Sequence, residues 1–178
     1  MSDEHYKLLS NNMNRLCRCL DPQQNDLIDM LVHMQIFNHE DIRHKLDKET
    51  IGEMSRELID TLLRKPDSSF NTFITALCDT KQEHVTSLVG HHTDSIPMSE
   101  EHCNLLKEKK ALITRCMDPE SGITETLMMH GVFHSNDDER IRSKPGLVEK
   151  CEHIIAILLR KPDSAFDVFI KVLCDTKQ

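Results

Sequence analysis

Apolar residues recur every three or four positions along most of the chain, the spacing that lays a stripe along one face of a helix. Tyr6, Leu9, Met13, Leu16 and Leu20 predict a first helix over residues 3–20. Ser2 can cap its start, and Asp21-Pro22 ends it, because proline disfavours helix at the residue before it. Leu27, Ile28, Leu31 and Met34 predict a second helix over 25–35, and a short third follows over 40–46. Thr50-Ile51-Gly52-Glu53 reads as a capping box opening a fourth helix, whose stripe is Ile51, Met54, Leu58, Ile59 and Leu62. Pro66-Asp67-Ser68 breaks the chain and caps a fifth helix. A short sixth over 81–89 buries Val85, Leu88 and Val89.

The same order then repeats. Leu62–Gln82 reads LLRKPDSSFNTFITALCDTKQ and Leu158–Gln178 reads LLRKPDSAFDVFIKVLCDTKQ, identical at 16 of 21 positions at an offset of 96. Ser2-Asp3-Glu4-His5 pairs with Ser99-Glu100-Glu101-His102, and Cys19-Leu20-Asp21-Pro22 with Cys116-Met117-Asp118-Pro119, at an offset of 97. The second copy is one residue shorter between Met34 and Phe37 in this alignment. Such a period is too long for a tetratricopeptide or HEAT unit, and two copies are too few for a solenoid, so each copy reads as a whole domain. Within the matched block Phe70, Phe73, Ile74 and Leu77 share one arc, whereas the five differing positions, 69, 71, 72, 75 and 76, fall opposite, as on a packed helix. The fourth helix of the second copy carries Leu147, Val148, Cys151, Ile154, Ile155 and Leu158.

These patterns predict residues 1–90 as one domain, 91–97 as a short linker rich in turn formers, and 98–178 as a second domain. The second copy stops at Gln178, where its sixth helix would begin. The expectation is a bundle lacking its last helix, from a fragment or an isoform.

Composition narrows the function. The net charge is −8, with 10 Lys+Arg against 15 Asp+Glu in residues 1–90 and 12 against 15 in 91–178, so neither half has the basic excess of a nucleic-acid binder. No apolar run approaches the ~20 residues that span a bilayer, and the acidic start lacks a signal-peptide core; the chain reads as cytoplasmic. Seven cysteines, an odd number with no CxxC pair, read as thiols in a reducing compartment, mostly buried as small apolar residues. Met30, Met34, Met128 and Met129 read as core fillers.

Catalytic motifs are missing. There is no Gln-Ala-Cys-x-Gly, GxSxG, HExxH, P-loop or GxGxxG, so the chain itself is not expected to be an enzyme. The eleven histidines are scattered, and Cys17-Arg18-Cys19 has the wrong spacing for zinc, so no metal or other cofactor is expected.

The block Leu62-Leu63-Arg64-Lys65-Pro66-Asp67-Ser68-Ser69-Phe70, followed by Phe73, Leu77 and Asp79-Thr80-Lys81-Gln82, resembles the caspase recruitment domain (CARD), most closely those of initiator caspases and their adaptors. The match spans nearly all of both copies and departs at the turn, where relatives often have Gly and this chain has Pro66-Asp67 and Pro162-Asp163. The resemblance implies an all-α fold of two tandem six-helix antiparallel Greek-key bundles, the death fold, that bind other CARDs or self-associate. It also implies contact between a basic surface on helices one and four and an acidic one on helices two and three. Read onto this chain, the basic residues are Arg15, Arg18 and Arg56, then Lys109, Lys110, Arg115 and Lys150. The acidic residues are Asp26, Asp29, Glu40 and Asp41, then Glu125, Asp137, Asp138 and Glu139. Glu152 stands where the first copy has Arg56. Three roles fit: an adaptor or caspase prodomain that gathers proteases, a CARD-only decoy, or a helical scaffold outside death signalling.

Overall fold

Two Ser residues start the two halves in the same way. The Ser2 hydroxyl accepts from the His5 amide and the Ser99 hydroxyl from the His102 amide, each satisfying one of the orphan donors at a helix start. The computed structural model describes residues 1–38, 41, 50–91, 93 and 95–176, and the chain divides into two compact units, Met1–Pro97 and Met98–Gln178.

In unit 1 the helices are α1 (Asp3–Asn11), α2 (Met13–Cys19), α3 (Leu27–His33), α4 (Ile51–Leu63), α5 (Ser68–Asp79) and α6 (Glu83–Thr86). One 3-10 turn, Gln24–Asp26, precedes α3, and another, Ser87–Val89, follows α6. Unit 2 holds α7 (Glu100–Cys116), α8 (Ile123–Met129), α9 (Ser135–Arg142), α10 (Leu147–Leu158) and α11 (Ser164–Asp175). In unit 1, α2 packs on α4 and α3 on α5; in unit 2, α7 packs on α10 and α8 on α11. Pairing first with fourth and second with fifth is the connectivity of a Greek-key bundle. Each unit has its own core, around Leu9, Leu31, Ile59 and Phe73 in the first and Leu106, Leu127, Ile154 and Phe169 in the second. Full burial of one such side chain contributes about 1.5–3 kcal/mol.

The capping box at Thr50–Glu53 forms with both reciprocal bonds, and Val85, Leu88 and Val89 are buried as expected. The expected third helix of the first copy, 40–46, lies outside the described residues apart from Asp41.

Several expectations are corrected. The first helix of unit 1 is broken at Asn12, whose side-chain amide donates to the Leu8 carbonyl at 2.9 Å and competes with the helical ladder. Lys109 occupies that place in unit 2, and α7 runs unbroken. The one-residue difference between copies lies before α3, not after it. Leu27 and Leu31 match Ile123 and Leu127 in burial, and left-handed Asp26 (φ 57°) matches Gly122 (φ 87°). The extra residue sits in the 3-10 turn, where Asn25 donates to the Thr80 carbonyl at 2.9 Å. The drifted face of α5 is not wholly exposed: Ser69 and Ala76 are buried, as are Ala165 and Val172 in α11. The buried arc of α5 therefore spans roughly 160° at ~100° per residue, since this helix packs on both sides. Tyr6, Met129, Leu147 and Val148 are exposed, not core, while Met30, Met34 and Met128 pack against the cores. Cys116 and Cys174 are likewise exposed, while Cys17, Cys19, Cys103 and Cys151 are buried.

Candidate partner-binding surfaces

The buried stripe of α2 is Leu16, Cys17 and Cys19, which leaves Arg15 exposed and Arg18 half-buried on the flanks. Because α2 packs on α4, the exposed Arg56 of α4 comes beside them, its Nη2 donating to Asn14 Oδ1 at 3.2 Å. The first-copy basic residues thus lie on two neighbouring helices. Ser55 Oγ holds this pair of helices by donating to the Leu20 carbonyl at 2.9 Å; in unit 2 Cys151 Sγ replaces it, 3.4 Å from the Met117 carbonyl.

Asp26 and Asp29 are exposed at the start of α3, beside a shallow cleft formed with Pro22, Gln23, Ile28 and Met54. Among the described residues neither forms an ion pair. Asp41 stands apart from them: its carboxylate accepts from Lys65 Nζ at 2.6 Å, and that ammonium lies 5.9 Å from the centre of the Phe37 ring. Glu40 lies outside the described residues.

Unit 2 treats its charges differently. Lys110 pairs with Glu152 at 2.8 Å, and Lys150 pairs with Glu120 at 2.9 Å. Arg142 bridges the acidic face, with Nε 2.8 Å from Asp138 and Nη2 3.1 Å from Glu125. The Asp138 carboxylate, through its hydrogen bond and charge, raises the Arg142 pKa further. Lys109, Arg115 and Glu139 are exposed. Asp137, read from the sequence as a surface acid, is 1 % exposed and pairs with the buried Lys161 at 2.7 Å. It shares the inward face of α9 with Ile141, four residues on, so it is removed from the partner-contact set.

Two constellations were not foreseen, and both occur twice. Lys161 lies 5.9 Å from the centre of the Phe133 ring, repeating the Lys65–Asp41–Phe37 arrangement. His5 Nδ1 lies 2.8 Å from Asp67 and its ring stacks on Phe70 at 3.9 Å; His102, Asp163 and Phe166 do the same at equal distances. Asp67 and Asp163 also accept from the Ser2 and Ser99 amides at 2.7 Å. Asp67, in the Pro66-Asp67-Ser68 turn expected to cap the fifth helix, ties the first helix to the fifth instead, as does Asp163 in unit 2, and neither makes a side-chain cap bond to its own helix. The bond from the Ser2 amide is the main reason Asp67 is held at about 2. For Asp163, burial pushes the other way, and the bonds from Ser99 and His102 outweigh it to leave the pKa lowered. The recurrence of His5 as His102 and of Asp67 as Asp163 was the available signal.

Burial pushes the Cys78 and Cys151 thiols up, away from thiolate chemistry. Among the described residues no helix is long and apolar enough to cross a membrane, and no group of three or more His, Cys, Asp or Glu side chains could hold a metal ion.

Two separate helical units built on one plan define a tandem all-α molecule. The chain belongs to the caspase recruitment domain family, whose model matches residues 6–92 and 103–178. Domains of this family are non-catalytic and bind other domains of the same kind in apoptotic and inflammatory signalling. No curated protein matches the chain, and no solved structure does.

Proposed function

We propose that the chain recruits other CARD-containing proteins mainly through the charged faces of its first unit, acting in the cytoplasm as an adaptor or caspase prodomain. The supporting observation is the asymmetry between units. In unit 1, Arg15, Asp26, Asp29 and Arg56 take no part in an ion pair among the described residues, and Arg56 donates to the neutral Asn14. In unit 2, Lys110, Lys150, Glu125 and Asp138 are already matched by partners within the unit, which leaves Lys109, Arg115 and Glu139 as its exposed charges without an ion pair among the described residues.

A charge already paired on its own surface has to exchange that partner before it serves another protein. Uncommitted charges steer encounter and set specificity without this step. Arginine suits the task because its planar fork can grip a carboxylate with two bonds. Arg18 flanks the basic face of unit 1, while Asp41, held by Lys65, stands apart from the acidic one. In unit 2, Lys109, Arg115 and Glu139 supply a secondary contact that raises avidity if both units engage at once. Clustering of partners then raises the local concentration of the proteases they carry.

Titration of the purified chain against a panel of purified CARDs and one unrelated helical bundle tests this. Binding to at least one CARD, weakening as salt rises from 50 to 300 mM (roughly the range over which screening shortens by half), is expected. Equal binding to the control bundle, or binding indifferent to salt, contradicts it. Adding the chain to a CARD-dependent caspase assay separates the roles: stimulation supports recruitment, and inhibition supports a decoy.

A further inference from the structure

Both units carry the same shallow cleft, and only one of them fills it. In unit 2 it lies between the turn before α8 and the start of α10, and its wall includes Pro119, Glu120, Glu125 and Lys150. Lys150 Nζ lies 2.9 Å from Glu120, and Arg142 Nη2 lies 3.1 Å from Glu125. Each of these acids is thus met by a cation of its own unit. In unit 1 the matched wall is Pro22, Gln23, Asp29 and Met54, and Asp26 stands where unit 2 has Gly122. Met54 takes the place of Lys150, and the sequence match of Arg142 is Leu46, which lies outside the described residues. Neither side chain carries a charge. Among the described residues no lysine or arginine lines the unit 1 cleft, while Asp26 and Asp29 are exposed on it. The extra residue of unit 1 sets Asp26 there: Asn25 donates to the Thr80 carbonyl at 2.9 Å, and both Asn25 (φ 46°) and Asp26 (φ 57°) are left-handed. Met54, 5 % exposed, gives the cleft an apolar floor beside Ile28. Unit 1 has gained a carboxylate and lost both cations at a place where the same fold holds a cationic side chain.

We infer that residue 54 and its match 150 decide whether this cleft is open, and that in unit 1 it takes an arginine side chain of the partner. Lys150 supplies the template: a long stem against the wall and a cationic head on a carboxylate. An arginine entering unit 1 lays its stem on Met54 and Ile28, and its planar fork meets the carboxylates of Asp26 and Asp29. In unit 2 the resident ammonium repels a second cation, so Lys150 rejects what Met54 admits. This rests on the reading that the acidic face of unit 1 contacts a partner, and it adds which side chain that face takes and what closes its match in unit 2.

Acetyl-arginine amide is the probe and its neutral isostere, acetyl-citrulline amide, the control. Each is titrated into the isotopically labelled chain while backbone amide shifts are followed by nuclear magnetic resonance. Saturating shifts at Asp26, Asp29 and Met54 are expected with the arginine probe alone, with Glu120 and Glu125 unmoved. Met54→Lys copies unit 2 and is expected to weaken the probe's binding at least about tenfold. Asp26→Gly, which copies Gly122, is the second variant; its left-handed backbone suits glycine, and it is expected to weaken binding as well. Circular dichroism checks the fold of each. Lys150→Met is expected to extend the shifts to Glu120. Equal shifts with the citrulline control, no saturation at Asp26 and Asp29, binding unaffected by Met54→Lys and Asp26→Gly, or shifts still confined to unit 1 in Lys150→Met overturns the inference. The probe requires no CARD, so a chain that takes arginine at Asp26 yet binds no CARD contradicts the recruitment reading alone. A CARD bound equally by the native chain and Met54→Lys contradicts the present inference alone.

Discussion

Lys161 and Lys65 occupy equivalent places and make the same ion pair, yet water reaches them to different extents. Lys161 and Asp137 have side chains 4 % and 1 % exposed, against 22 % and 20 % for Lys65 and Asp41. Removing one partner of a desolvated pair strands a buried charge and costs about 3–5 kcal/mol. At the wetter pair, solvent replaces the lost partner and the cost is about 1 kcal/mol or less. Lys161→Met is therefore expected to lower the urea midpoint of the chain well below that of Lys65→Met; equal shifts would contradict this account. Composition concealed the difference. Asp137-Asp138-Glu139 reads as a solvated acidic run, and only its spacing to Ile141 indicates that the first member turns inward. The left-handed turn after the second helix was equally hidden in one copy. Gly131 (φ 70°) marks it in unit 2, but Gln35 (φ 60°) holds it in unit 1.

Most helices announced themselves through period and punctuation. Thr50 and Glu53 form the capping box their spacing predicted, and Pro22 and Pro66 fall outside helices. What escaped was contact between elements distant in sequence, because periodicity reports which face is apolar and not what it meets. The His5–Asp67–Phe70 clamp between α1 and α5 is an example. It makes an acid-side prediction. Asp67 titrates at about 2 in the folded chain against an ordinary 3.8, so the folded state favours its ionised form. The stability it contributes is complete above the ordinary value and is lost as pH falls through the lower one. Asp163 acts in the same direction. Asp67→Asn is thus expected to show a smaller drop in urea midpoint than the native chain between pH 5 and pH 2.5. An identical drop would show that the clamp does not hold α1 to α5.

At the scale of the molecule, duplication has produced two bundles with one plan and unlike exteriors. The family and the doubling were legible in the sequence, from the block ending Asp79-Thr80-Lys81-Gln82 and its second copy. The difference in ion pairing between the copies was not, because ion pairing depends on which charges the fold brings within reach. Arg56 and Glu152 occupy equivalent places; one meets a neutral amide and the other a lysine. If unit 1 carries the principal contact, reversing its charge has to matter more than reversing the charge at the matched place in unit 2. The most direct measurement is the dissociation constant for a CARD partner, taken side by side for the native chain, Arg56→Glu and Glu152→Lys, with circular dichroism confirming the fold of each. A loss of about tenfold or more for Arg56→Glu, of the order reported when a close interfacial charge pair is disrupted, and little change for Glu152→Lys is the predicted result. Equal affinity for all three, or a larger loss for Glu152→Lys, would contradict the assignment of binding to the first unit.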